Sequence, residues 1–166
     1  MLIKNNSFGE LDGEPGWEIF DAPGLVGETL RFVSGDQTGN RFRVKYFRDS
    51  EQSLVARVWF GPVTEGPPNH AHGGSIAAVL DEVLGLTAWA AGHPVVVGNL
   101  NISFRQLLPI QTVVQVNTRL VSVQGRKVMV HGEVRSLDGV VYASAEALCI
   151  KLTPEQMDVG KNNRVR

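Results

Sequence analysis

His72-Gly73-Gly74 and, nine positions after the histidine, Asp81 are the residues of this chain best placed to do chemistry. They sit within residues 66–92, which read GPPNHAHGGSIAAVLDEVLGLTAWAAG. Gly66, Pro67, Pro68 and Asn69 are turn formers. From Ser75 to Ala91 the run is apolar and rich in helix formers, and Gly92 before Pro94 suits the C′ position. Ser75 or the glycines cap the start. The first N–H groups of such a helix have no intrahelical partner, and the helix dipole favours negative charge there. Glycine lets a carbonyl approach the backbone closely. At a rise of ~1.5 Å per residue, Asp81 lies only ~10 Å along the axis from Gly74. One pocket can therefore hold amide donors at one end and a carboxylate at the other. The donors stabilise a developing oxyanion. A partly buried carboxylate, its pKa raised, suits proton abstraction near neutral pH.

The elements that must position these groups start with the helix itself. Ile76, Val79, Leu80, Val83, Leu84, Leu86 and Trp89 make it apolar nearly all round, so it belongs inside a protein. A membrane span is the other reading. About 17 residues with Asp81 and Glu82 at the centre make a poor span, because charge there costs several kcal/mol. Asp81 and Glu82 lie ~100° apart around the helix, so they are not expected to face one pocket, and spacing selects Asp81. Glu82 is left to pair with a base across an interface. The plain alternative makes HGG a tight turn and Asp81 a satisfied helix acid. His70, His72 and Asp81 also suggest a metal. Nothing supplies the supporting hydrogen bonds that metal-binding histidines need, so no metal or cofactor is expected.

The chain has 166 residues, enough for one domain over 1–166 with an ample core. A hydrophobic share of 43% and a charged share of 20% place it among soluble globular chains. A net charge of -1 gives no ground for a nucleic-acid or membrane-surface partner. Cys149, the single cysteine, cannot form an intrachain disulfide and falls in an apolar, strand-like run. It reads as a buried thiol in a reducing compartment. The opening MLIKNNSFGELDGE has no apolar core of a signal peptide, so a cytoplasmic location is expected.

Residues 1–40 read as an irregular arm, rich in Gly, Pro and acids, with a short strand over 28–34. Residues 41–48 alternate Phe42, Val44 and Tyr46 against Arg41, Arg43 and Lys45, the period of a half-exposed strand. Residues 54–60 form a second strand, ended by Gly61 and Pro62. Beyond the helix, strands are predicted over 95–106, 111–123, 126–137 and 140–152, the last two joined by the hairpin signal Asp138-Gly139. Short turns between successive strands favour an antiparallel sheet. The fold class is α+β, with one helix packed on one face of the sheet. The final KNNRVR reads as a loose tail.

His72-Gly73-Gly74, Asp81 in LDEVLG, the preceding GPP and the following NLNISFRQLLPI together resemble the hotdog-fold acyl-CoA thioesterases. The likeness covers roughly residues 41–152 and is nearest to the phenylacetyl-CoA and long-chain acyl-CoA branch. It implies an antiparallel sheet wrapped around the one long helix. It implies a homodimer joined edge to edge, or a tetramer made of two such dimers, with active sites between subunits. It also implies hydrolysis of acyl-CoA to free acid and CoA. In that chemistry the Gly74 N–H, beside Gly73, polarises the thioester carbonyl. Asp81 acts as general base on water or as nucleophile. His72 either hydrogen-bonds the substrate carbonyl or holds the loop. In several relatives a Ser or Thr of the partner stands just before the NLN strand and helps position the water. The matching place here is about Val97, followed by Gly98 and Asn99. Valine donates no hydrogen bond, so either Asn99 takes the role, or Asp81 holds the water alone, or activity is weak.

For the CoA phosphates, Arg105, Arg126 and Lys127 are the candidate partners, with ordinary solvated strand ends as the alternative. For the acyl group, Leu80, Leu84 and Trp89 are candidates, though most read as core, and Trp59 and Phe60 could close the mouth. Two other functions stay open. One is a non-catalytic acyl-thioester binder. The other is a hydratase or dehydratase on the same fold.

Overall fold

In the computed structural model, residues 11–22 and 31–157 are described. The strands are β1 (Glu18–Ile19), β2 (Phe42–Arg48), β3 (Leu54–Phe60), β4 (Val95–Phe104), β5 (Thr112–Gln124), β6 (Lys127–Ser136) and β7 (Val141–Lys151). The helix α1 spans Gly73–Ala90. The strands form one sheet in the order β1-β2-β3-β5-β6-β7-β4, with every neighbouring pair antiparallel. This is the α+β arrangement expected from the sequence.

Alternation explains which face meets α1. Leu54, Ala56, Val58 and Phe60 of β3 face the helix side with Val114 and Val116 of β5, and all are buried. On β6 and β7 the corresponding residues are Val128, Val130, Val134, Ala143, Ala145, Ala147 and Cys149. The small side chains of β7 let the helix lie close. A Cβ built on Gly132 of β6 would stand 2.6 Å from Leu84 Cδ2, so glycine is what permits that approach. Cys149 is buried, and that burial, with Asp81 nearby, pushes its thiol up to about 11.

All seven residues of β3 are buried, although alternate ones face away from α1. The arm supplies the second cover. Leu11 packs with Trp59 and Val113, and Glu14 pairs with Arg57 at 3.0 Å. The Arg57 guanidinium also stacks on Trp17, 5.3 Å from the ring centroid. The arm continues into β1, which pairs Glu18 and Ile19 with Arg48 and Phe47 of β2. At the far end of the sheet, β4 pairs with β7 on one side and has no strand on the other among the described residues.

Two expectations are corrected. Residues 31–34 form a turn, not part of a strand; residues 28–30 lie outside the described residues, as does the expected tail at 161–166. The helix is also not enclosed all round. Its stripe through Gly74, Ala77, Ala78, Asp81 and Gly85 is exposed or only half-buried, because the sheet curls around the other faces.

Candidate active site

The loop into α1 is fixed by its own backbone. Gly66 N donates to His70 O at 2.9 Å, His72 N to Thr64 O at 2.7 Å, and Ala71 N to Leu108 O at 2.8 Å. A Cβ on Gly66 would stand 2.7 Å from His72 Cα, so this glycine lets the loop close on itself. His72, not Ser75 or a glycine, is the N-cap, and its Nδ1 accepts the Gly74 N–H at 2.8 Å. The Gly74 amide, the expected carbonyl donor, is therefore engaged by His72. The Gly73 N–H has no acceptor among the described residues. His70 turns elsewhere, with Nδ1 2.8 Å from Pro68 O. Among the described residues, no group of three or more His, Cys, Asp or Glu is placed to hold a metal ion.

Asp81 lies about two turns further along and is exposed in the isolated chain. It borders a cavity of about 460 Å³. Leu86 and Trp89 of α1 and Val95, Val96 and Val97 of β4 form its apolar wall, with Gly85 between them. Arg31 and Phe32 of the arm complete the rim. Partial desolvation in this recess, and then the neighbouring Glu82 carboxylate, raise the Asp81 pKa above the ordinary aspartate value of 3.8. Water reaches the carboxyl from the open side, while protein replaces solvent around the rest of it. A carboxylate so placed is a stronger base than an ordinary aspartate.

Glu82 borders the same cavity, contrary to expectation. Adjacent helix positions do diverge, but the cavity extends around the helix to the 31–34 turn, and Glu82 reaches that wall. Its carboxylate is engaged within this chain. It accepts Val33 N at 3.0 Å, Ser34 N at 3.0 Å and the Tyr46 hydroxyl at 2.8 Å. Burial of Tyr46 beside that charge drives the phenol pKa far upward. Glu82 is thus held by the turn and by β2, whereas Asp81 has no hydrogen-bond or ion-pair partner among the described residues.

The thioesterase-superfamily model matches residues 68–143, from the loop before His72 through Asp81 and into β7. The chain belongs to the thioesterase superfamily. It is 35% identical to acyl-coenzyme A thioesterase THEM4 of Bos taurus over 127 residues, covering 75% of this chain and 52% of that one. It is 32% identical to acyl-coenzyme A thioesterase THEM5 of Homo sapiens, covering 68% of this chain and 46% of that one. The chain thus spans about half the length of the curated relatives it matches. A crystal structure of a thioesterase-superfamily protein superposes with a TM-score of 0.62 at 31% identity, covering 66% of this chain and 54% of that one. A Bacillus halodurans protein solved with CoA has a TM-score of 0.59 at 22% identity, covering 65% and 73%, and that likeness bears on the fold alone. The wrapped sheet and single long helix are the hotdog fold of this superfamily.

The remaining candidates of this thioesterase-superfamily chain fall in three places. Val97 lines the Asp81 cavity and stands opposite Cys149, just before a bulge at Gly98. Asn99, past the bulge, is exposed on the free edge and does not line the cavity. Arg105 is exposed beyond the end of β4, with Nη2 3.5 Å from Ser144 Oγ. Arg126 and Lys127 are at the opposite end, where Arg126 Nη2 donates to Lys151 O at 3.0 Å and Lys151 pairs with Val95. The length of β4, roughly 30 Å at ~3.3 Å per residue, separates Arg105 from the other two within one chain. Leu80 and Leu84 are fully buried core, whereas Trp89 lines the cavity and its Nε1 donates to Val95 O at 2.9 Å. Trp59 lies under the arm and Phe60 in the core, so neither closes the mouth. The sequence reasoning missed Phe32, Tyr46 and the 31–34 turn. The inward position of Tyr46 on β2 was the only signal for any of them.

Proposed function

We propose that this chain hydrolyses acyl-CoA thioesters to free acid and CoA. The observation that carries the reading is Asp81: a carboxylate of raised pKa at the mouth of an apolar cavity, about two turns from a glycine-started helix N-terminus. The acyl group lies against Leu86, Trp89 and Val95–Val97. Asp81 activates a water or attacks the thioester carbon itself. The carbonyl oxygen takes the Gly73 N–H and, when the His72 ring swings aside, the Gly74 N–H. The acyl-coenzyme A thioesterase names of the THEM4 and THEM5 relatives support this class of substrate.

A second copy completes the site in this reading. The helix stripe bearing Asp81 is open, and the neighbouring β4 edge exposes Val96 and Phe104. A homodimer formed along β4 would cover both, and a pair of such dimers gives the tetramer. Residues 1–40 are read as an arm of the same single domain, of which residues 11–22 cover β3 and residues 31 and 32 rim the cavity. Among the described residues, no helix is long and apolar enough to cross a membrane. A cytoplasmic, reducing setting suits the buried free thiol of Cys149.

The test is free-thiol release from short, medium, long and aryl acyl-CoAs by wild type and by Asp81→Asn, with folding of both checked. Hydrolysis by wild type and a loss of ~10²-fold or more in the variant support the reading. A second reading, a non-catalytic acyl-thioester binder, is favoured by two observations: Val97 offers no donor beside Asp81, and Gly74 N–H is engaged. A rise in melting temperature with acyl-CoA, without thiol release from any substrate, would select the binder.

A further inference from the structure

We propose that Phe32 determines acyl-group selectivity at the Asp81 cavity and that Glu82 is the positioning residue that holds it there. This rests on the acyl-thioester reading above. Phe32 is an apolar residue that belongs to neither the helix nor the sheet, yet it borders the same cavity as Asp81. It is 65% exposed, although its neighbour Val33 is 1% exposed and anchored in the core. The Arg41 guanidinium stacks on its ring, 5.0 Å from the centroid, and so orients it.

The turn that carries Phe32 has one strong tether to the helix. Two successive backbone amides, Val33 N and Ser34 N, donate to the two oxygens of Glu82, each at 3.0 Å. Hydrogen bonds to a charged acceptor are about twice as strong as neutral ones, and the paired geometry fixes direction as well as distance. Tyr46 adds a third donor from β2 and holds the carboxylate itself. Glu82 is the residue next to Asp81, so the wall carrying Phe32 is locked in register with the reacting group.

The cavity gives the wall its task. Beyond Asp81 its helix residues are Leu86 and Trp89, ~7 and ~12 Å further along the axis. An acetyl group held at Asp81 stays beside the carboxylate. A longer or aryl group runs along Leu86 and Trp89 and meets Phe32, releasing water from an exposed ring. Phe32 therefore discriminates by acyl length and bulk, not by the thioester.

Binding of non-hydrolysable thioether analogues of CoA bearing ethyl, octyl, hexadecyl or phenylethyl groups tests this by calorimetry. The variants are Phe32→Ala and Glu82→Gln, each with its melting temperature checked. Phe32→Ala is expected to weaken the three larger analogues roughly tenfold or more, and the ethyl analogue less than twofold. Glu82→Gln is expected to reproduce that pattern. If Glu82→Gln does not fold, Ser34→Pro deletes one tethering amide without touching the helix and is expected to act in the same way. Equal weakening of all four analogues by Phe32→Ala, or none, overturns the role of Phe32. A folded Glu82→Gln or Ser34→Pro with wild-type affinity for the large analogues overturns the tether. Wild type that binds these analogues but hydrolyses no acyl-CoA sinks the hydrolase reading while leaving this test intact. No binding of any analogue overturns both.

Discussion

His72 Nδ1 accepts the Gly74 N–H at 2.8 Å, so the histidine of the HGG turn caps the helix that carries Asp81. Replacing a side-chain cap by alanine costs about 0.5–2 kcal/mol. His72→Ala is expected to lower Tm by a few degrees, at ~2–4 °C per kcal/mol for a chain of this size. Asparagine is a strong cap, so His72→Asn is expected to restore most of the loss. Thermal unfolding of both variants checks this. If the ring only caps, thiol release by His72→Ala falls less than tenfold.

Asp81→Asn separates activity from stability. The folded chain raises the Asp81 pKa, so this group favours folding most at pH values below its ordinary value of 3.8. That contribution is lost as pH rises through the raised folded value. At neutral pH, the charged Asp81 is therefore a small burden on the fold. The Asn variant is expected to melt at the same temperature as wild type or higher at pH 7, with the advantage vanishing in acid. In wild type, the acid limb of the activity profile is expected above the ordinary aspartate range. Melting curves and thiol-release rates across pH read both effects.

Tyr46→Phe removes one of the three donors to Glu82 and leaves the ring in the core. Hydrogen bonds to charged groups contribute about 1.5–3 kcal/mol each. A loss of that order is expected in chemical denaturation, with an unchanged m-value.

Asp36 closes the turn between the cavity rim and β2. Its carboxylate accepts Thr38 Oγ1, Phe42 N, Arg41 N and Thr38 N, and these bonds, led by the Thr38 hydroxyl, lower its pKa to about 2. Here the sign is reversed. Stability is fully present above the unfolded value of 3.8 and is lost as pH falls through about 2. Asp36→Ala is expected to be destabilised at pH 7, and the gap from wild type is expected to narrow across that acid window.

Strands β2 to β7 and the one long helix were legible because their signals are local, whereas the two-residue β1 in the arm was not. Period-2 alternation marked β2, and an apolar run of helix formers marked α1. The 31–34 turn was not legible, because the groups that fix its amides lie 49 and 48 positions away on Glu82. Local sequence there, ETLRFVS, has strand propensity that the tether overrides. The exposure of Asp81 was hidden for a related reason. An all-round apolar helix does not reveal which stripe its own sheet leaves open. The role of His72 was partly visible, since its position before two glycines fits a helix start, but histidine is outside the usual set of capping residues.

The two borders of the sheet are unlike. On one side β1 lies along β2, and Phe20 N continues the cover by donating to Tyr46 O at 2.9 Å. On the other side β4 is bare among the described residues. A strand edge is a template for further chains, and a molecule with two such edges can polymerise without limit. Among the described residues the β2 border is partly occupied by the arm while β4 offers its whole length, so any lateral pairing of this sheet is expected to be directional, through β4.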